Sequence, residues 1–196
     1  LGVVGLGYVG LPLAVESANA ALNVIGYDVN IDRVKEINNG KSPIEDISDK
    51  ELKKALNTFQ ATDDPSLLSK CQHIVISVPT PLTDYQPDLS YVEAAAKAVG
   101  ENLVSNQVIV LESTTYPGTT LEVLVPNLEK YSSLEAGSDF YVGYSPERID
   151  PGNQEWKFKN TPKVISGIND DSLEKINSFY KKIIDETVIV QGTREA

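Results

Sequence analysis

The strongest constraint on the fold comes at the start, where an apolar run, Leu1 to Val4, passes straight into Gly5-Leu6-Gly7-Tyr8-Val9-Gly10, with helical patterning from Leu11. In such a turn the first glycine makes the tight bend. The second lets a pyrophosphate approach the backbone, and the third lets helix and strand pack closely. The helix N-terminus then offers free amides and a partial positive charge to the phosphates. The hexapeptide alone is a weak signal, but its context strengthens it. A second strand-like run, Asn23 to Asp28, ends in an acid at the spacing expected of a carboxylate that accepts from the ribose hydroxyls of the adenosine. Strand, glycine turn, helix, strand and terminal acid occur in that order, which predicts a dinucleotide site. Asp28 repels a 2′-phosphate, so NAD is favoured over NADP, and nothing further along the chain supports FAD. Arg33 reads two ways, as a flank of the adenine ribose or as a solvated helix charge.

The same alternation continues. Candidate strands are residues 1–4, 23–28, 73–78, 108–112, 140–144, 163–166 and 187–190, mostly continuous apolar runs of the kind buried on both faces of a parallel sheet. Helices fall between them. Ser48 with Glu51 and Ser90 with Glu93 fit capping boxes, Asp64 before Pro65 fits an N-cap, and Leu173, Ile176, Tyr180, Ile183 and Ile184 share one helical face. The pattern predicts an α/β fold, a Rossmann-like, doubly wound, mostly parallel sheet with helices on both faces. With 196 residues the chain is expected to form one domain.

Composition narrows the class. The formal charge is −11 and evenly spread, which offers no basic face to nucleic acid. No apolar run is long enough for a membrane span, and one Cys cannot make an intrachain disulfide, so a soluble cytoplasmic protein is expected. One His and one Cys make no credible metal site or hydrolytic triad. Both Cys71 and His73 read as structural.

The least regular stretches are residues 38–47, 79–89 and 145–162, and loops after strand ends build the ligand crevice of an open α/β sheet. Three strand-end segments carry unusual chemistry. Val78-Pro79-Thr80-Pro81 holds a hydroxyl between two prolines. Glu112-Ser113-Thr114-Thr115-Tyr116-Pro117-Gly118 sets four hydroxyl groups in a row before a helix whose first turn can hold Pro117. Tyr144-Ser145-Pro146-Glu147-Arg148-Ile149-Asp150-Pro151-Gly152 brackets a Glu, an Arg and an Asp with prolines. Singly, such residues are more often loop chemistry than catalysis. Together they fall where a nicotinamide and a substrate would meet.

The set GLGYVGLPLA, GYDVNIDRV, VPTPL, ESTTYPGTT and YSPERIDPGN resembles the N-terminal domain of the UDP-glucose/GDP-mannose dehydrogenase family, the nucleotide-sugar 6-dehydrogenases, over nearly the whole chain. The resemblance implies oxidation of a sugar C6 alcohol to a carboxylate with two NAD per turnover, through a thiohemiacetal and a thioester on a cysteine. YSPERIDPGN with ESTTYPGTT is similar to the branch acting on UDP-N-acetylhexosamines, UDP-N-acetylglucosamine above all. The UDP-glucose branch typically carries a PEFL-type sequence where Pro146-Glu147-Arg148-Ile149 stands here.

Carried over by position, the resemblance implies that Gly5, Gly7, Tyr8, Val9 and Gly10 hold the pyrophosphate, and that Asp28 and Arg33 contact the adenosine ribose. Pro79, Thr80 and Thr114 line the nicotinamide side, Thr114 also bordering the substrate. Glu147 matches the acid–base glutamate, and Arg148, Ile149 and Asp150 lie along the sugar nucleotide. A second family glutamate, four positions later, is replaced here by Pro151. The nucleophilic cysteine, a lysine, an aspartate, a central dimerisation helix and a C-terminal UDP-sugar-binding domain are expected beyond residue 196, so residues 1–196 read as the NAD-binding part of a longer homodimer or higher homo-oligomer. Open alternatives are UDP-glucose or UDP-N-acetylmannosamine as substrate, a β-hydroxyacid dehydrogenase, which lacks the PERIDPG loop, and a non-catalytic NAD-binding regulatory module. A capsular or other bacterial surface polysaccharide is the expected destination of the product.

Overall fold

The structure is a computed structural model and describes residues 1–83, 85–148 and 158–196. The glycine turn links the first strand, β1 (Gly2–Val4), to α1 (Gly10–Asn19), and β2 (Val24–Tyr27) and α2 (Ile31–Asn38) follow. Asn30 caps α2 by accepting from the Asp32 and Arg33 amides. The capping box expected of Ser48 and Glu51 forms at the start of α3 (Asp49–Ala55). Next comes β3 (Phe59–Thr62), an edge strand for which the sequence carries little signal: it is four residues long and contains the exposed Gln60. Asp64 accepts from the Ser66 amide, with Pro65 at the first position, but the segment it caps, Pro65–Lys70, is a 3₁₀ turn.

After β4 (His73–Ile76), a small antiparallel hairpin, β5 (Leu82–Thr83) and β6 (Gln86–Pro87), occupies part of the expected loop at 79–89. The capping box expected at Ser90 does not form. Ser90 is already the first residue of α4 (Ser90–Gly100), and its amide is held by Asp88. Strand β7 (Val108–Leu111) leads to a π-helical turn, Thr120–Leu124, that feeds α5 (Val125–Ser132). Pro117 lies in the turn before it, and Pro126 is the proline found near the start of α5. The last elements are β8 (Tyr141–Tyr144), β9 (Lys163–Gly167), α6 (Asp170–Tyr180) and β10 (Thr187–Ile189). The apolar stripe expected on α6 extends past the helix end, since Ile183 and Ile184 are buried in the turn that follows.

Eight strands form one sheet in the order β10-β9-β8-β7-β4-β1-β2-β3. All neighbours are parallel except β8 and β9, which pair antiparallel, so β9 and β10 run against the rest. Alternate strand residues feed two cores. Val3, Val75, Val108 and Val110 pack with α1, α2, α3 and α6, while Val4, Ile74, Ile76, Ile109 and Leu111 pack with α4 and α5. Helices therefore cover both faces, and the Rossmann-like, doubly wound expectation holds. The last strand departs from it, because Val188 and Ile189 on β10 are exposed. Among the described residues no helix is long and apolar enough to cross a membrane.

Candidate active site

The carboxyl ends of β1, β2, β4 and β7 open onto a cavity of about 560 Å³ lined by Gly5, Gly7, Tyr8, Val9, Asp28, Arg33, Pro79, Thr80 and Thr114. Nine expected site residues are thus brought to one cleft. Gly10 sits behind it, fully packed. A Cβ built on Gly10 would fall 1.9 Å from the Gly5 carbonyl oxygen and 2.5 Å from Ser77 Oγ, whereas one built on Gly7 meets nothing within 4 Å. Gly5 has φ of 91°, in the left-handed region that a side chain resists. The three glycines therefore act differently: Gly5 bends, Gly10 packs, and Gly7 leaves room. Space at Gly7, beside a helix whose N-cap residue Val9 provides no side-chain bond, is what a pyrophosphate requires.

At the next strand end, Asp28 is buried and accepts from the Leu6 amide (2.8 Å), the Asn30 amide (2.9 Å) and Arg33 Nη1 (3.0 Å). Two of these donors share Oδ2. An ionised carboxylate offers about four acceptor sites, so Oδ1 retains capacity for a ribose hydroxyl. Arg33 is ion-paired with Asp28 and lines the cavity beside it, rather than standing as a solvated helix charge. At the ends of β4 and β7, Thr80 Oγ1 donates to the Thr114 carbonyl at 2.5 Å and Ser113 Oγ to the Val78 carbonyl at 2.7 Å. These bonds tie the loop after β4 to the loop after β7. Ser77, whose hydroxyl donates to the Val4 and Gly5 carbonyls, and Tyr91 on α4 also line the cavity. Neither belongs to a motif, and only the topology brings them there.

Glu147 and Arg148 do not line this cavity. Glu147 turns inward at the end of β8 and lies 3.5 Å from Lys163 Nζ, while one of its oxygens accepts from the Arg148 amide. Lys163 also meets Glu112 at 3.1 Å, and Tyr180 donates to Glu112 at 2.5 Å. Glu112, Lys163 and Tyr180 are buried, and Glu147 at the edge of the cluster is partly buried. Desolvation pushes the Glu112 carboxyl above its ordinary range, against the pull of Lys163, and drives the Tyr180 hydroxyl well above its usual value, so it stays a donor. A lysine inside an apolar run and a tyrosine in an apolar stripe were the only sequence signals for these two residues. Ile149 and Asp150 lie outside the described residues.

The structural readings of Cys71 and His73 agree with their surroundings. Cys71 is buried beside Leu68 and Ile74, and burial raises its thiol. His73 stacks on Phe179, and chiefly through burial its pKa falls to about 4, which keeps it neutral.

A doubly wound sheet with a glycine turn, an open helix N-terminus and a buried acid at its carboxyl end defines a dinucleotide-binding domain of the dehydrogenase type. The chain belongs to the UDP-glucose/GDP-mannose dehydrogenase family, residues 1–184 matching its NAD binding domain. It is 42% identical over 186 residues to a UDP-N-acetyl-D-glucosamine 6-dehydrogenase of Pseudomonas aeruginosa, covering 93% of this chain and 43% of that protein. It is also 42% identical over 185 residues to Protein CapL of Staphylococcus aureus, covering 94% and 43%. The solved UDP-D-ManNAc dehydrogenase of Pyrococcus horikoshii superposes with a TM-score of 0.92 at 32% identity, over 98% of this chain and 47% of that one. The chain thus spans less than half the length of these relatives, and its cofactor is NAD.

Proposed function

We propose that this domain is the NAD-binding part of an enzyme that oxidises the C6 alcohol of a UDP-sugar, UDP-N-acetylglucosamine, to the uronic acid in two hydride transfers, for bacterial surface polysaccharide. The observation that carries the reading is the single cavity of about 560 Å³ that Gly7 and Asp28 line together with Thr80 and Thr114. NAD supplies the hydride acceptor. Gly7 leaves room for the pyrophosphate, and Asp28 accepts from the ribose hydroxyls while Arg33 steadies its charge. Thr80 and Thr114, fixed to each other, hold the wall against which the reacting carbon is presented. Glu147 serves acid–base work at the sugar from the adjacent strand end, Thr114 borders the same point, and Arg148, Ile149 and Asp150 follow the sugar nucleotide.

The N-acetylglucosamine choice is supported by the PERIDPG form of the loop and by the 42% identity to a relative of that name, against 32% to the UDP-D-ManNAc dehydrogenase. The similarity to Protein CapL supports a capsular role. Nothing in residues 1–196 supplies a thiolate for the second oxidation, since Cys71 is enclosed in the core; the nucleophile, the central dimerisation helix and the sugar-binding domain are proposed to belong to the rest of a longer, cytoplasmic, homo-oligomeric protein. Incubating the full-length protein with NAD and a panel of UDP-sugars tests this. Two NADH per UDP-N-acetylglucosamine is the expected result, and NAD binding without turnover on any UDP-sugar would overturn it in favour of a regulatory module.

A further inference from the structure

Lys163 is buried, 5% exposed, at the first position of β9. An ammonium taken out of water costs several kcal/mol that an apolar side chain of the same length would avoid, so its presence calls for a chemical reason. Its surroundings supply one. Its Nζ lies 3.1 Å from Glu112 Oε1 and 3.5 Å from Glu147 Oε2, beneath the rings of Tyr180 and Phe158 at 5.5 and 5.6 Å. These groups come from five parts of the fold: the end of β7, the loop after β8, the turn that holds Phe158, the start of β9 and the end of α6. The pairing of β8 with β9 sets Gly143 opposite Gly167 and Tyr144 opposite Ser166. Carried on past Tyr144, that register puts Lys163 opposite Glu147.

Glu112 and Glu147 both lie beside the Lys163 ammonium. Glu112 holds Lys163 from the interior side, and Tyr180 holds Glu112 through its hydroxyl, which also meets Ser145. The result is a chain, Tyr180 to Glu112 to Lys163 to Glu147, that runs from the sheet interior to the loop where the sugar is to be processed. Two carboxylates share one ammonium, and burial keeps the proton affinity of the inner one high.

We propose that Lys163 is a positioning residue for the reaction: anchored by Glu112 and Tyr180, its ammonium fixes the place and charge of the Glu147 carboxylate for acid–base work. The proposal rests on Glu147 having that role, and the test separates the two.

In the full-length protein with NAD and UDP-N-acetylglucosamine, Glu147→Gln abolishes turnover if the role of Glu147 is right. Lys163→Met then lowers kcat by about 10²-fold, the cost of misplacing a catalytic group by about 1 Å, with KM for NAD unchanged. Lys163→Arg, which keeps the charge, restores most of the loss. The acidic limb of the kcat–pH profile moves up in Lys163→Met and down in Glu112→Gln, because the first removes an attraction and the second a repulsion. Should Lys163→Met fail to fold, Lys163→Arg carries the test through kcat, which it should largely retain, and Glu112→Gln carries it through the pH profile. An inactive Glu147→Gln beside an unshifted pH profile in Lys163→Met and Glu112→Gln overturns the proposal and leaves the role of Glu147 standing. A fully active Glu147→Gln overturns both.

Discussion

The same substitution made at two glycines of the turn separates folding from cofactor binding. In Gly10→Ala the new methyl would lie 1.9 Å from the Gly5 carbonyl oxygen, far inside ordinary contact, and 2.5 Å from Ser77 Oγ. The first of these atoms is backbone in a turn pinned by the Gly5 amide on the Tyr27 carbonyl, so it cannot swing aside as a side chain would. Overpacking of this kind costs about 1–3 kcal/mol, and the upper end applies where backbone must yield. At about 2–4 °C per kcal/mol for a domain of this size, Gly10→Ala should melt roughly 6–12 °C below the parent chain. Gly7→Ala is the opposite case, with nothing within 4 Å of the added Cβ and no positive φ at that residue. Reduced freedom of the unfolded chain should make it about 0.4–1 kcal/mol more stable. Its methyl nevertheless occupies the space assigned to the pyrophosphate, so a clash of about 1–3 kcal/mol should weaken NAD by roughly 5- to 150-fold. Thermal melts and calorimetric titration with NAD on residues 1–196 read both quantities. A Gly7→Ala chain that melts early, or that binds NAD as the parent does, would refute the division of labour among the three glycines.

Three other outcomes are expected. Asp28→Ser should weaken NAD by about tenfold or more and narrow the preference over NADP, read by titration with each cofactor; equal affinities before and after would remove Asp28 from the ribose. The chain of residues 1–196 should bind NAD yet form no NADH with any UDP-sugar, and sustained sugar oxidation by it would sink the assignment of the nucleophile to the rest of the protein. Ser48→Ala should cost about 1 kcal/mol in denaturant unfolding by opening the α3 capping box, and no loss would mean that the box contributes nothing here.

How legible the fold was depended on whether a feature is local or arises between segments. The glycine turn, the acid ending β2 and the α3 capping box are read within six residues or fewer, and all stand where the sequence placed them. Continuous apolar runs marked β4 and β7 because both faces of those strands are covered. The edge strand β3 escaped notice because an edge needs less apolar surface, and Gln60 faces water. Strand direction escaped for a different reason: nothing in Lys163 to Gly167 encodes whether its neighbour runs with it or against it. A hint lay in the segment joining β8 to β9, where Pro146, Pro151 and Pro162 interrupt any helical period, since parallel crossovers usually carry a helix. The structure gathers the glycine-turn, Asp28, Arg33 and Thr80–Thr114 residues around one cavity, but the motif did not show that Glu147 faces Lys163 rather than that cavity.

Strand direction also decides the chemistry of the buried cluster, and a pH experiment on stability can test this without any turnover. Because β9 runs against β8, its first residue lies at the carboxyl end of the sheet, beside Glu112 at the end of β7 and Glu147 after β8. A parallel β9 would have put Lys163 at the opposite end and left two acids together. As built, Glu112 is fully buried, and desolvation raises its pKa above the 4.5 of a free glutamate despite the nearby ammonium. The folded chain then holds that proton more tightly than the unfolded chain does. The sign follows: this contribution to stability is intact below pH 4.5 and is lost as pH rises through the folded-state value. Denaturant unfolding of residues 1–196 at a series of pH values should show that decline, and Glu112→Gln, which carries no titrating proton, should remove that part of it. If the pH dependence of the variant matched that of the parent, Glu112 would not be holding the extra proton, and the buried cluster would have to balance its charges in another way.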